Sequence, residues 1–143
     1  MQISEPRATL SADAIEAMLV AGAARARALG VRVHITILDG AGELAGHIAF
    51  PGTPRIAATT AHRKAFTAVH MGQTTRQWEL YLETIPPSEL KIIDSIPGYV
   101  AAIGGYPVIE NGLVIGGIGV SGANQQIDGD IAEAALAAIG SPR

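Results

Sequence analysis

Three features of this 143-residue chain could carry chemistry: its histidines, a run of consecutive cationic side chains, and a glycine-rich segment near the C-terminal end. His34 and His47 fall on adjacent strands of one expected hairpin. A neutral imidazole ligates haem iron or a metal ion well, and it serves as a general acid–base near neutral pH. Two imidazoles make only half a metal set, so no metal site is expected and their default reading is structural. His62, Arg63 and Lys64 are consecutive on an expected helix. Successive helical side chains diverge by about 100°, so these three cannot all face one pocket. The segment 104–122 reads GGYPVIENGLVIGGIGVSG. Glycine inside a strand marks a place where a ligand, a subunit or a packed helix approaches the backbone closely. Ser121 and Gly122 precede an expected helix, where backbone N–H groups can cradle an anion or a polar group. HExxH, CxxC and Walker patterns are absent.

Composition limits the function classes. The length suits one domain over 1–143. Apolar residues make up 48% and aromatics only 4%, so the core must be built from Ala, Val, Ile and Leu. A net charge of −3 argues against a nucleic-acid or basic membrane surface. With no cysteine, disulfides, thiolate metal sites and cysteine nucleophiles are excluded. The first residues lack a basic stretch followed by an apolar one, and no apolar run is long enough to span a membrane. A cytoplasmic location is expected.

These residues must be positioned by α and β elements that the pattern places in turn. Ser11 is expected to cap a helix over 12–29, with Gly30 as its stop. Residues 31–38 alternate as a strand, and Asp39-Gly40-Ala41-Gly42 turns the chain into a second strand over 44–50. Helices are expected over 56–70 and 75–83, and a short one through 88–93. A strand is expected near 99–103. Asn111-Gly112 between apolar runs is a hairpin turn, because both residues tolerate positive φ. Residues 124–140 close the chain as a helix. Hairpins rather than crossovers predict an α+β fold, an antiparallel sheet of about five strands with helices packed on it.

Three segments resemble one family in order and spacing. The 104–122 segment resembles the C-terminal signature of the GlcG/HbpS family, the haem-degrading domain also fused to PduO-type adenosyltransferases. Lys64-Ala65-Phe66-Thr67-Ala68 resembles its KAxTA helix, and Ile37 to Leu44 resembles its VVDAGGxL hairpin. The resemblance spans most of residues 12–138. It implies a profilin- or PAS-like sheet, usually assembled into homo-oligomers. It also implies a small-molecule ligand, with haem among the candidates. The chain departs from the family at 47–53, where Ala49 and Pro51 stand in place of an arginine and an aspartate. That loss of charge suits a more apolar, aromatic ligand.

The resemblance puts Lys64 and Thr67 on one wall of a pocket, where the lysine can pair with a carboxylate. Gly104, Gly105 and Tyr106 are expected opposite, with Ser121 and Gly122 at the end. His47 and Phe50 are expected at the mouth, with Lys64 and His47 the candidate catalytic groups. His62 should point away. Three functions follow: a haem or aromatic-anion binding protein, a cofactor-independent lyase or isomerase acting on a small aromatic acid such as a hydroxylamino-aromatic, or an oligomeric accessory protein without chemistry.

Overall fold

The computed structural model describes residues 1–143. Helix α1 (Ala12–Ala28) starts where the Ser11 side chain accepts from the Ala14 N–H at 3.2 Å, and Gly30 follows its end at φ 67°. Strands β1 (His34–Asp39) and β2 (Leu44–Ala49) form the first hairpin. Asp39 ties its turn by accepting from the N–H groups of Ala41 (2.9 Å) and Glu43 (3.0 Å). Helices α2 (Ile56–Met71), α3 (Thr75–Leu82) and α4 (Pro87–Asp94) come next. The second hairpin is β3 (Gly105–Glu110) with β4 (Leu113–Ser121), and α5 (Gln125–Ala138) closes the chain. At that hairpin's tip Asn111 and Gly112 both have positive φ, 51° and 77°, as the Asn-Gly pair requires.

The sheet has four strands, all antiparallel, in the order β2-β1-β4-β3. The strand expected at 99–103 does not form. Its backbone donors go to side chains instead: Val100 N–H to Thr67 Oγ1 at 3.0 Å, and Ile103 N–H to Gln125 Oε1 at 3.1 Å. A segment pinned in this way has no ladder to join.

Strand alternation divides the sheet into two faces. Ile35, Ile37, Tyr106, Val108, Ile118 and Val120 share a buried core with Met18 and Ala26 of α1 and Ile131, Ala135 and Leu136 of α5. Arg25 and Asp130 join those two helices through paired contacts of 2.8 and 2.7 Å. Helix α2 packs on the opposite face, with Ala65 and Val69 against Leu38. It lies so close that side chains on the strands beneath would not fit. A Cβ on Gly105 would strike the Lys64 carbonyl oxygen, and one on Gly119 the Ala61 carbonyl oxygen. The glycines therefore let a helix dock on the sheet.

Candidate functional site

The helical period of α2 separates its cations. Ala57, Ala61, Lys64, Ala65, Thr67 and Ala68 are buried, whereas His62, Arg63 and His70 are exposed. Of the consecutive triplet only Lys64 points inward, and it is 2% exposed. Its Nζ donates to the Val120 carbonyl at 2.8 Å and to Asp128 Oδ2 at 3.0 Å. Asp128 Oδ1 also accepts from the Ala123 N–H at 3.1 Å. The pair thus links helices on opposite faces of the sheet around the end of β4. Burial holds the Lys64 ammonium below its ordinary range and raises the Asp128 carboxyl, while the partner's charge opposes each shift.

The expected pocket between α2 and the glycine-rich strands is filled by close packing. A Cβ on Gly104 would come within 3.0 Å of Lys64 Nζ and 2.7 Å of the Val120 carbonyl oxygen. Gly105 is closed off by Lys64 and Thr75. Thr67 Oγ1 donates to Arg63 O at 2.8 Å while accepting from Val100, so it anchors the 99–103 segment. Tyr106 alternates with Gly105 and faces α5, where its hydroxyl donates to Glu133 Oε1 at 2.8 Å. Burial, with Glu133, holds that phenol well above its ordinary range. Ser121 is buried opposite His34, and Gly122 is exposed at φ 133°.

Strand parity also separates the expected mouth residues. His47 lies on the α2 side of the sheet, paired with Thr36. Phe50 packs against the core on the other face, with the Arg27 guanidinium 5.6 Å from its ring centroid. The two cannot close one opening.

The structure joins other groups instead. Thr36 Oγ1 is 2.9 Å from His47 Nδ1, and His47 Nε2 is 3.2 Å from His34 Nδ1. His34 is 6% exposed, and its Nε2 is buried without a hydrogen-bond partner. Burial, and then the neighbouring His34 and His62, push the His47 imidazole below its ordinary range. On the outer face of α2, Phe66 lies between His62 and His70, with ring centroids 6.4 and 4.2 Å away, and meets Tyr99 edge-on at 5.6 Å. A shallow hollow of about 410 Å³ beside it is lined by Ala58, Thr59, His62, Arg63 and Gly98. A separate concavity of about 480 Å³ lies between residues 6–9, the β1–β2 turn and Leu113, and none of the expected site residues lines it.

The model of the family described as haem degrading protein HbpS-like matches residues 10–137. The chain belongs to the HbpS-like family. It is 36% identical over 137 residues to the corrinoid adenosyltransferase PduO of Citrobacter freundii. That match covers 94% of this chain and 40% of the relative, so the chain spans well under half the length of this curated relative. Among solved structures it is similar to a PduOC:heme complex, at 30% identity and a TM-score of 0.86, covering 94% of this chain and 97% of the other. HbpS itself matches at 27% identity and a TM-score of 0.87, with 96% and 95% covered.

Asp128 was not singled out from the sequence. It reads there only as an acidic residue in a helix's first turn, a common complement to the helix dipole. Nothing in its spacing ties it to a lysine 64 positions earlier. Thr36 likewise carries no signal in the sequence beyond its place in the alternating run 31–38.

Proposed function

We propose that this HbpS-like chain is a small-molecule-binding protein that takes haem or another planar aromatic anion. The observation that carries this reading is the likeness to the PduOC:heme complex across nearly the whole of both chains. The outer face of α2 fits such a ligand. His62 and Arg63 are exposed there beside the 410 Å³ hollow, next to the Phe66 and Tyr99 rings. An imidazole can ligate iron, a guanidinium can hold a propionate, and an aromatic edge can pack on a macrocycle. In this reading Lys64, Thr67, Gly104, Gly105 and Ser121 support the site rather than touch the ligand: they seat α2 on the sheet and thereby place His62 and Arg63.

The chain is further proposed to act as a homo-oligomer. Leu80, Tyr81, Ile92 and Ile96 on and beside α3 and α4 are 52%, 48%, 64% and 45% exposed, and large apolar side chains left in water suit burial against another subunit.

Titration with hemin tests the ligand reading. A Soret band distinct from that of free hemin, saturating with protein, is expected. His62→Ala should shift that band, and Arg63→Ala should weaken binding. Absence of a distinct band, or titrations unchanged by both substitutions, would overturn the proposal.

A further inference from the structure

The Thr36–His47–His34 network shares no side chain with the hollow on the outer face of α2, although His62 of that hollow is near enough to act on His47. It sits on the sheet face that α2 occupies, but at its margin, where β2 is an edge strand. His47 and Ala49 remain exposed there, so a solute can reach the network from the side. His34 is buried beneath, and its Nε2 faces no polar partner. Nδ1 is the nitrogen it turns toward the accessible side, where it meets His47 Nε2 at 3.2 Å.

That separation matches a chelate. Two imidazole nitrogens, each about 2.0–2.1 Å from a tetrahedral zinc ion, stand roughly 3.3 Å apart, and an octahedral ion brings them to about 3.0 Å. Of the two remaining nitrogens, His47 Nδ1 has an outer partner in Thr36 Oγ1, whereas His34 Nε2 has none. If His47 Nδ1 carries its proton and donates to Thr36 Oγ1 at 2.9 Å, the Nε2 lone pair is directed at His34. Metal-bound histidines are held in this way by an outer hydrogen-bond partner that sets tautomer and ring orientation. Thr36 is itself 1% exposed on a central strand, so it is a rigid partner.

We propose that His34 Nδ1 and His47 Nε2 form a two-imidazole site for a borderline transition-metal ion such as Zn²⁺ or Cu²⁺. No group of three or more His, Cys, Asp or Glu side chains completes a closed set. The site therefore supplies two protein ligands, fewer than a structural or catalytic zinc site, and leaves the other coordination positions to water or an incoming ligand. Two neutral nitrogen donors without a carboxylate favour zinc, copper or nickel over magnesium and calcium. This proposal is independent of the ligand reading above, which rests on His62 and Arg63.

The test uses the full chain after chelator treatment, titrated with Zn²⁺ by calorimetry and with Co²⁺ by visible absorption. One ion per chain and a Co²⁺ spectrum with nitrogen-donor character are expected. His47→Ala, at an exposed position, should weaken binding at least tenfold. Thr36→Val should weaken it by a factor of about ten, at the low end for loss of an outer partner. His70→Ala should leave it unchanged. His34→Gln should match His47→Ala, with circular dichroism checking the fold; if that buried variant unfolds, His47→Ala decides alone. No binding of either ion by the parent chain, or an affinity that survives His47→Ala, overturns the proposal.

Discussion

Removing the carboxylate of Asp128 should be among the most damaging single changes in this protein. Lys64 and Asp128 have side chains 2% and 3% exposed and lie 3.0 Å apart. Asp128→Ala leaves an ammonium with only the Val120 carbonyl for company, and it also removes the acceptor of the Ala123 N–H. Breaking a buried pair by deleting one partner costs about 3–5 kcal/mol. Against a total stability of roughly 5–15 kcal/mol, that brings the fold close to its threshold. Lys64→Met should cost less than Asp128→Ala, because Asp128 can take up a proton and keeps Ala123. The double variant Lys64→Met/Asp128→Ala removes both charges together, so it should be markedly more stable than the sum of the single changes predicts. Urea unfolding of all four proteins completes the cycle. Single variants that each lose less than about 1 kcal/mol, or strictly additive losses, would refute the account of a desolvated, mutually dependent pair. A Lys64 variant that stays fully stable and fails only in hemin binding would return the lysine to the ligand pocket expected from the family motif.

Gly119→Ala should cost about 3 kcal/mol, because its Cβ falls on the Ala61 carbonyl oxygen of α2. Gly112→Ala, with open space around it but φ at 77°, should cost only about 1 kcal/mol from backbone strain, and thermal unfolding that reversed this order would be incompatible with the proposed packing. The hydrogen bond from Arg25, the larger cause, and its charge hold the Asp130 carboxyl below its ordinary range. That stabilisation is present at neutral pH and is lost as pH falls through the lowered value. Asp130→Asn should therefore be slightly less stable than the parent at pH 7 in low salt, and the two should converge in acid and in high salt; a gap that persisted in acid would contradict this. Light scattering at micromolar concentration should give a mass above the 14.7 kDa of one chain, reduced by Ile92→Asp, and a mass of 14.7 kDa would exclude the proposed assembly.

Elements with a local cause were legible in the sequence. Ser11 capping α1, Gly30 beyond its end, the Asp39 turn and the Asn111-Gly112 tip each rest on hydrogen bonds or φ values within a few residues. The strand expected at 99–103 failed for a non-local reason, since Thr67 and Gln125 take its backbone donors. The glycines at 105 and 119 were correctly read as marks of close approach. What approaches is α2, where the expected pocket put a ligand against Gly105.

The family came from the resemblance of three motifs. Local propensity and spacing sufficed for the α+β class and the identity of the hairpins, because turns, caps and alternation act over short distances. They also implied that His62, Arg63 and Lys64 diverge on one helix. Which of the three is buried depended on how α2 is rotated against the sheet. Strand parity was readable as well, yet only the placement of helices on both faces turned it into the separation of His47 from Phe50 and of Tyr106 from Gly105. The Lys64–Asp128 pair and the Thr36–His47–His34 network belong wholly to the tertiary structure. The first joins residues 64 positions apart around the end of a strand. The second depends on the β1–β2 register, in which Thr36 stands opposite His47. A slip of one residue in that register would carry the side chains of β2 to the other face and dissolve the network.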